Sequence, residues 1–250
     1  MRRLGIRQRL RRSVERVGYR CVYGLADLTH AIGLATPRST VAGRYWSYEP
    51  RNAHGDDPGL AALAALPDDA VVLDIGAHVG EYAVPLAIGN DRRVFAFEPN
   101  RESANRLVRT AKRNGVAHRI ELHRIGLGKA DEERPFYRST YSKLSAFDPT
   151  AADRWGAEIE AVETISVRRL DSLVGETVDP PDGIKIDVEG AERDVLEGAE
   201  RTIETRRPLV VIDVHEEAAR PMIEAWFIKQ GYACSTVGDT LICRPSGGHG

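Results

Sequence analysis

The chain of 250 residues has the composition of an ordinary globular protein, with 42% hydrophobic and 29% charged residues. This balance excludes an intrinsically disordered or fibrous chain, and the length suits one sizeable domain with an appendage. The formal net charge of −2 argues against binding driven by bulk positive charge, so no nucleic-acid partner is predicted.

Three cysteines, Cys21, Cys234 and Cys243, have neither C-x-x-C spacing nor a metal-like spacing with histidine. We therefore expect reduced, partly buried thiols in a reducing compartment. No apolar run is long enough to span a bilayer, and no signal-peptide pattern is present. The predicted location is the cytoplasm.

Residues 1–20 form a basic N-terminal arm with eight arginines and a single acid, Glu15. Apolar residues recur between the arginines at roughly helical spacing, which is typical of amphipathic helices that lie on anionic membranes. The alternative is a solvated helix or a disordered arm that packs a few leucines on the main domain. The first interpretation predicts peripheral contact at the inner membrane surface.

The segment between the arm and Pro67 has a mixed pattern. Its aromatic cluster, Tyr45, Trp46 and Tyr48, could line a substrate pocket, although buried aromatic residues more often serve packing. The stretch "LAALAAL" predicts a short helix that leads into the core. We therefore divide the chain into an N-terminal basic and helical extension, residues 1–66, and a main domain, residues 67–245.

In the main domain, predicted strands and helices alternate. The predicted strands lie at 70–76, 93–99, 119–128, 183–190 and 208–215, and the predicted helices at 100–115, 191–207 and 216–231. Asn100 is the expected N-cap of the first of these helices, and Pro221 is expected to kink the last. Two short strands around Gly238–Asp239 follow. This order predicts an α/β fold with a doubly wound, mostly parallel sheet and an antiparallel edge hairpin.

Between Gly128 and Pro180 the alternation stops. A predicted strand pair flanks a long polar loop that contains Ser139, Ser142 and Ser145. A loop of this length inside an α/β domain is usually a lid or a binding element.

The stretch "VVLDIGAHVGEY", residues 71–82, places Asp74, Gly76 and Gly80 at the end of the first strand of the main domain. Ligands of open α/β sheets bind at that edge, and glycines let backbone N–H groups approach them. A dinucleotide fold has G-x-G-x-x-G at this position, whereas this chain has G-x-x-x-G. Asp74 would repel a pyrophosphate and suits a ligand with an ammonium group.

Glu98 ends the next strand, about 20 residues after the glycine loop, where an acid accepts hydrogen bonds from ribose hydroxyls. Together, Asp74, Glu98 and the glycine loop indicate a ligand that has a ribose and a cationic group but no phosphate. S-adenosylmethionine has these features. The competing interpretation is structural, with the glycines in a tight turn and Glu98 as a cap.

The stretches "VVLDIGAHVGEY", "VFAFEPN", "LDSL" and above all "IKIDVEGAERDVLEGA" followed by "RPLVVIDVH" resemble the FkbM family of S-adenosylmethionine-dependent methyltransferases. The resemblance implies a class I methyltransferase fold with a seven-stranded Rossmann-like sheet, and methylation of hydroxyl groups on natural products and sugars. It further implies that Asp74, Gly76 and Gly80 contact the methionine part, Glu98 the ribose and Gly126 the adenine. Two departures from the family are His78, where asparagine is common, and Asp213, where glutamate is common.

Methyl transfer to a hydroxyl requires alignment of the acceptor and removal of its proton. Asp187 and His215 end the fourth and fifth strands, so they are the predicted catalytic residues, with His215 in the pKa range of a general base. Glu189 and Glu192 also fit a helix N-terminus, where the dipole favours acids. A lone histidine at a strand end is more often structural.

Asp187 and Asp213 could hold a magnesium ion, but two ligands with this spacing are not diagnostic, so the metal content stays unassigned. The expected function is O-methylation of a hydroxyl on a glycan, glycolipid or secondary metabolite. An NAD-dependent Rossmann oxidoreductase is disfavoured by the missing G-x-G-x-x-G. A non-catalytic cofactor-binding module of a membrane-associated assembly is disfavoured by the pair Asp187 and His215. Neither the acceptor nor the oligomeric state is encoded in a recognisable motif.

Overall fold

The structure is a computed structural model that describes residues 6–215 and 218–247, with side chains from Gly18 onward. The strands of that part are β1 (Thr36–Thr40), β2 (Gly43–Ser47), β3 (Val71–Ile75), β4 (Arg93–Phe97), β5 (Ile120–His123), β6 (Gly126–Leu127), β7 (Glu132–Ser139), β8 (Ile159–Arg168), β9 (Gly183–Ile186), β10 (Leu209–Asp213), β11 (Tyr232–Val237) and β12 (Thr240–Pro245). The α-helices are α1 (Ile6–Ile32), α2 (Pro58–Ala64), α3 (Ala83–Leu86), α4 (Arg101–Arg113), α5 (Pro149–Ala152), α6 (Leu170–Leu173), α7 (Glu192–Gly198), α8 (Glu200–Arg206) and α9 (Arg220–Lys229).

A seven-stranded sheet forms the centre of the described chain. Its strand order is β11-β12-β10-β9-β3-β4-β5. The strands from β10 to β5 are parallel, while β12 pairs antiparallel with both β10 and β11. The predicted α/β sheet, mostly parallel with an antiparallel edge hairpin, is therefore confirmed.

The central strands are buried on both faces, which is why their sequences read as continuous apolar runs. In β3, Leu73 and Ile75 face one core while Val72 faces the other, as the alternation of side chains along a strand requires. Helices α7, α8 and α9 cover the first core, and α2, α3 and α4 cover the second. The sheet is thus held between two helical layers, and its carboxyl edge remains for ligands.

Helix α4 begins and ends where its sequence predicts. The Asn100 carboxamide oxygen accepts hydrogen bonds from the N–H groups of Glu102 at 3.0 Å and Ser103 at 3.4 Å. At the other end Gly115 has a φ of 72°, the left-handed conformation that terminates helices.

The single helix predicted over 191–207 is wrong, because the chain forms α7 and α8 with a break at Ala199. A Cβ on Gly198 would lie 2.0 Å from the Gly128 carbonyl oxygen, so α7 ends in close backbone contact. The Asp171 carboxylate then accepts the N–H groups of Arg201 and Thr202 at 3.1 and 2.8 Å and starts α8.

Pro221 does not kink a helix. It lies in the first turn of α9, where the missing N–H would have no intrahelical partner. The helix therefore begins at Arg220, and residues 216–217 of the predicted helix lie outside the described part.

The predicted third strand, 119–128, divides between two sheets. Residues Ile120–His123 form the edge strand β5, and Gly126–Leu127 form β6 in a separate three-stranded sheet of order β6-β8-β7. The antiparallel pair β7–β8 confirms the strand pair predicted between Gly128 and Pro180. This segment, residues 128–180, is called the insertion.

The cysteine prediction is wrong in part. Cys234 and Cys243 form a disulfide that joins β11 to β12, because the hairpin register places them directly opposite each other. The two cysteines are nine positions apart in sequence, which is not the spacing of a C-x-x-C motif. Cys21 is a free thiol and is exposed rather than partly buried.

The N-terminal segment contains structure that its mixed pattern did not predict. Helix α1 continues to Ile32, and β1 and β2 form a hairpin. Of the aromatic cluster, Tyr45 packs in the second core, and the guanidinium groups of Arg109 and Arg113 lie over Tyr48 and Trp46. The cluster therefore serves packing, chiefly against α4.

The predicted membrane-binding face lies on residues 1–20. Residues 1–5 and the side chains of residues 6–17 lie outside the described part of the structure. Among the helices that are described, none combines the length and apolar character needed to cross a bilayer. The boundary between residues 66 and 67 stays a prediction, and Leu60 and Leu63 of α2 pack into the second core.

Candidate active site

A cavity that is partly open to solvent lies at the carboxyl edge of the sheet. Four of the residues predicted to bind cofactor or act in catalysis line it: Gly76, Glu98, Gly126 and Asp187. A second, smaller cavity adjoins the first and is lined by Asp74, Gly76 and Asp187. Gly80 and His215 line neither cavity, and His215 reaches the site through its contact with Asp187.

The two glycines of the first loop make close contacts within the protein itself. Gly76 has a φ of 80°, and a Cβ there would lie 1.8 Å from the Asp187 carbonyl oxygen. Its N–H donates to the Phe97 carbonyl at 3.0 Å, and the Gly80 N–H donates to the Ala77 carbonyl at 2.8 Å. Gly76 therefore allows the ends of β3 and β9 to approach each other, and a Cβ on Gly80 would lie 3.0 Å from Leu107 of α4.

Glu98 is buried and holds the glycine loop. Its two carboxylate oxygens accept the backbone N–H groups of His78 at 2.8 Å and Asn100 at 2.7 Å. Burial raises the pKa of Glu98 to about 7, and the two N–H donors only partly offset this effect. Because it lines the larger cavity, its remaining lone pairs are available to a ligand.

His78 is the residue in this loop whose role the sequence left open. It has a φ of 47°, and its Nε2 lies 2.9 Å from Ser142 Oγ of the insertion. Burial lowers the pKa of His78 to about 4, so the imidazole is neutral near pH 7. His78 thus joins the glycine loop to the insertion as a neutral hydrogen-bonding group.

Lys185 is the central cation of the site and was missed by the sequence analysis. Its Nζ donates to Asp187 Oδ2 at 3.0 Å and lies 4.0 Å from Asp74 Oδ1. Burial disfavours its charge, but the carboxylates of Asp187 and Asp74 outweigh burial and raise the pKa of Lys185. The signal was present in the sequence, since a lysine in the apolar run "GIKID" needs a buried partner.

Asp187 is nine-tenths buried, yet it stays ionised. Burial alone would raise its pKa, but Lys185, Lys143 and His215 more than reverse this effect and lower the pKa of Asp187. Oδ2 accepts the hydrogen bond from Lys185, whereas Oδ1 accepts none from the described residues. The arrangement leaves one charged carboxylate oxygen available at the site.

His215 lies among three carboxylates. Its Nδ1 is 2.9 Å from Glu192 Oε1, and its Nε2 is 3.3 Å from Glu189 Oε1 and 3.4 Å from Asp187 Oδ1. Burial opposes its charge, but hydrogen bonds to Glu189 and Glu192 raise the pKa of His215 to about 10. The pKa of His215 is therefore not near neutrality, contrary to the expectation from the sequence. The reason is that Glu189 and Glu192, which were expected only to favour a helix N-terminus, also face the imidazole.

The insertion forms part of the wall of the larger cavity. Ser142, Lys143 and Ser145 line it, and Asn100 Nδ2 donates to Ser145 Oγ at 3.1 Å. Ser139, the third serine of the predicted loop, donates instead to the Ala152 carbonyl at 2.6 Å. Beside Gly126 the wall is apolar, and it is formed by Ile125, Leu127, Phe136 and Phe147.

The magnesium site considered for Asp187 and Asp213 has no geometric support. The Asp213 carboxylate accepts a hydrogen bond from Thr240 Oγ1 at 2.6 Å. Among the described residues, the group of side chains close enough to share an ion comprises Asp187, Glu189 and His215.

In a comparison with known proteins, one family profile covers all the residues predicted to bind the cofactor or act in catalysis. The profile of the methyltransferase FkbM domain matches residues 74–234 of this chain. AMB antimetabolite synthetase AmbE from Pseudomonas aeruginosa is 31% identical in an alignment 185 residues long, which covers 61% of this chain and 9% of the synthetase. Hexuronic acid methyltransferase AglP from Haloferax volcanii is 30% identical over 151 residues, which are 59% of this chain and 57% of AglP. The matches thus span less than two thirds of either relative.

A solved structure, that of methyltransferase FkbM from Methylobacillus flagellatus KT, aligns with this chain at a TM-score of 0.53 and 22% identity. The alignment covers 72% of this chain and 44% of that protein. This likeness concerns the fold, and it confirms the predicted Rossmann-like class I methyltransferase architecture.

Proposed function

This chain belongs to the FkbM family of methyltransferases, and from that premise we propose that it transfers the methyl group of S-adenosylmethionine to a hydroxyl of a glycan or another small molecule. The observation that carries the proposal is the convergence of Gly76, Glu98, Gly126 and Asp187 on one cavity. Ligands of open α/β sheets bind at this carboxyl edge.

The nucleoside part of the cofactor fits the larger cavity. Glu98 is the acceptor for the ribose hydroxyls, because each of its oxygens has a lone pair beyond the one used by a backbone N–H. The apolar wall beside Gly126, with Phe136 and Phe147, suits a flat adenine ring.

The amino-acid part of the cofactor fits the smaller cavity. Asp74 Oδ1 is buried and accepts no hydrogen bond from the described residues. Burial raises the pKa of Asp74, and Lys185 at 4.0 Å offsets this only in part. An ammonium group bound beside Oδ1 would satisfy this oxygen and favour its charge.

When bound, S-adenosylmethionine supplies the methyl group: the acceptor oxygen bonds to the methyl carbon while the carbon–sulfur bond breaks and its electron pair stays on sulfur. The chain holds the acceptor hydroxyl in line and takes up its proton. We assign both tasks to Asp187, whose carboxylate stays ionised and whose Oδ1 accepts no hydrogen bond from the described residues.

His215 has a different task from the general base that its residue type indicates. With a pKa of about 10 it carries a proton at neutral pH and cannot accept another. Its proposed role is to hold Asp187 and Glu189 in place through Nε2.

Next to the amino-acid part of the cofactor, the acceptor would meet polar groups, because His54, Glu81 and Lys143 also line the smaller cavity. Hydroxylated molecules offer the donors and acceptors that such a wall needs. The name of the relative AglP, a hexuronic acid methyltransferase, agrees with a sugar acceptor.

Calorimetric titration with S-adenosylmethionine tests the cofactor, with NAD as the comparison ligand. We expect one molecule of S-adenosylmethionine bound per chain and no heat with NAD. Absence of heat with S-adenosylmethionine would end the proposal.

A labelled-methyl transfer assay against glycans tests catalysis. Asp187→Asn should lower kcat by about 10²- to 10⁴-fold, because it removes the proton acceptor. Asp179→Asn, which changes a surface aspartate paired with Arg93, should leave kcat unchanged. Equal turnover in the two variants would remove Asp187 from the mechanism.

A further inference from the structure

Three side chains at two neighbouring strand ends bring one candidate ligand atom each to a single point. Asp187 follows β9, Glu189 comes two residues later, and His215 follows β10. Their ligand atoms lie within 4.8 Å of one another, with His215 Nε2 3.4 Å from Asp187 Oδ1 and 3.3 Å from Glu189 Oε1. Ligands about 2.1 Å from a shared ion lie roughly 3.0 to 3.4 Å apart.

A second observation points to a cationic ligand at the same place. Asp187 is nine-tenths buried, and its Oδ1 accepts no hydrogen bond from the described residues. Its other oxygen is already used by Lys185. Burial of a charged oxygen without a donor is costly, so Oδ1 is the atom from which a bound ion would gain most.

The neighbours of the other two side chains orient them toward this point. Glu192 Oε1 lies 2.9 Å from His215 Nδ1, and because a carboxylate only accepts, Nδ1 carries the hydrogen. Without an ion, Nε2 also carries a hydrogen that faces the two acids. A bound ion would take the place of that proton on Nε2, as in carboxylate–histidine–metal arrangements, and binding would release the proton. The Arg154 guanidinium binds Glu189 Oε2 and leaves Oε1 for the shared point.

We propose that Asp187, Glu189 and His215 form a site for a divalent transition-metal ion of the Mn²⁺ or Zn²⁺ class. Two carboxylates and one imidazole suit these ions better than Mg²⁺, which prefers oxygen ligands alone. Three protein ligands leave coordination positions open, and Asp187 and Glu189 also line the larger cavity.

The site deepens the proposed methyl transfer and rests on it for its role in the reaction. With an ion on Oδ1, Asp187 would act through that ion rather than as the direct proton acceptor, because a divalent cation beside the acceptor lowers the pKa of a hydroxyl and orients it. Metal binding itself does not depend on that proposal, so the two are tested separately.

Titration of the chelator-treated full chain with MnCl₂ and with ZnCl₂, without S-adenosylmethionine, tests the site by calorimetry. We expect one ion per chain, with affinity reduced at least tenfold in Glu189→Gln and in His215→Gln. Glu121→Gln is the matched control, because Glu121 also pairs with a histidine, His123, at 3.2 Å but lies outside the site. Its affinity should be unchanged.

Two results would refute the proposed metal site. The first is no saturable one-to-one binding of either ion, and the second is an unchanged affinity in both Glu189→Gln and His215→Gln. If the variants fail to fold, pulsed EPR of Mn²⁺ bound to the unmodified chain decides instead. A nitrogen coupling from one imidazole is expected, and its absence at saturation would refute His215 as a ligand.

The outcomes separate the two proposals. If S-adenosylmethionine binds the metal-free chain and neither ion binds, the metal site is refuted while the cofactor proposal stands. If an ion binds as described and S-adenosylmethionine does not, the methyltransferase proposal fails and the metal site stands.

Discussion

Two buried carboxylates at the carboxyl edge of the sheet behave in opposite ways. Glu98, after β4, is held by two backbone N–H groups and has its pKa raised to about 7 by burial. Asp187, after β9, is equally enclosed, but Lys185 and Lys143 outweigh burial and lower its pKa. The difference shows that the ionic partner, more than burial, decides which acid stays charged.

This contrast divides the site into two halves. The β4 half is organised by backbone hydrogen bonds and apolar walls, which suits a nucleoside. The β9 half is organised by ion pairs around Lys185 and His215, which suits a charged reaction centre.

The largest effect is expected for Lys185→Met, which leaves Asp187 and Asp74 buried without their shared cation. Removing one partner of a buried ion pair typically lowers the free energy of unfolding by about 3–5 kcal/mol. Lys129→Met, which breaks a surface pair with Asp194, should cost less than about 1 kcal/mol. Urea unfolding measures both, and equal losses would contradict the central place of Lys185.

Gly76→Ala tests the close approach of β3 to β9. A left-handed φ costs an L-residue roughly 1–2 kcal/mol, and here the new Cβ would also meet the Asp187 carbonyl oxygen at 1.8 Å. Gly89→Ala is the control, because Gly89 has a φ of 72° with no atom within 4 Å of the new Cβ. In urea unfolding, the free energy of unfolding of Gly76→Ala should be lower than that of Gly89→Ala by at least about 2 kcal/mol.

The pH dependence of stability isolates Glu98. Its pKa is about 7 in the folded chain against an ordinary value of 4.5, so the folded state binds the proton more tightly. The resulting stabilisation is present below pH 4.5 and is lost as the pH rises through 7, by at most about 3 kcal/mol.

Glu98→Gln carries no titrating group at this position and should lack that loss. The free energy of unfolding, measured from pH 4.5 to 8 in both proteins, checks it. Parallel pH profiles would show that Glu98 titrates near its ordinary value.

The smallest effect is expected for Ser142→Ala, which removes the hydrogen bond between the insertion and His78 Nε2. If S-adenosylmethionine binds in the larger cavity, which Ser142 lines, a net loss of about 1 kcal/mol corresponds to several-fold weaker binding of it. Ser166→Ala, on strand β8 of the same insertion, should bind as the unmodified chain does. Calorimetric Kd values compare them.

Regular periodicity made most strands and helices predictable from the sequence. Features that depend on contacts between residues distant in sequence were not predictable. The strands β3, β4, β9 and β10, the caps of α4 and the edge hairpin follow from local patterns. The break at Ala199 depends on Asp171, about 30 residues away, and the Cys234–Cys243 disulfide depends on hairpin register. The first contact is absent from local patterns, whereas the second follows from the Gly238–Asp239 turn, which sets the register of the predicted hairpin.

The sequence by itself determined a parallel α/β sheet and placed Asp74, Glu98 and Asp187 at its carboxyl edge, because strand ends and glycine loops are local signals. Only the tertiary structure decided their charges. The raised pKa of His215, the ion pair of Lys185 with Asp187 and the grouping with Glu189 arise from side chains that different strands and loops bring together. Electrostatic energy depends on distance in space and on burial, and neither can be read from order along the chain.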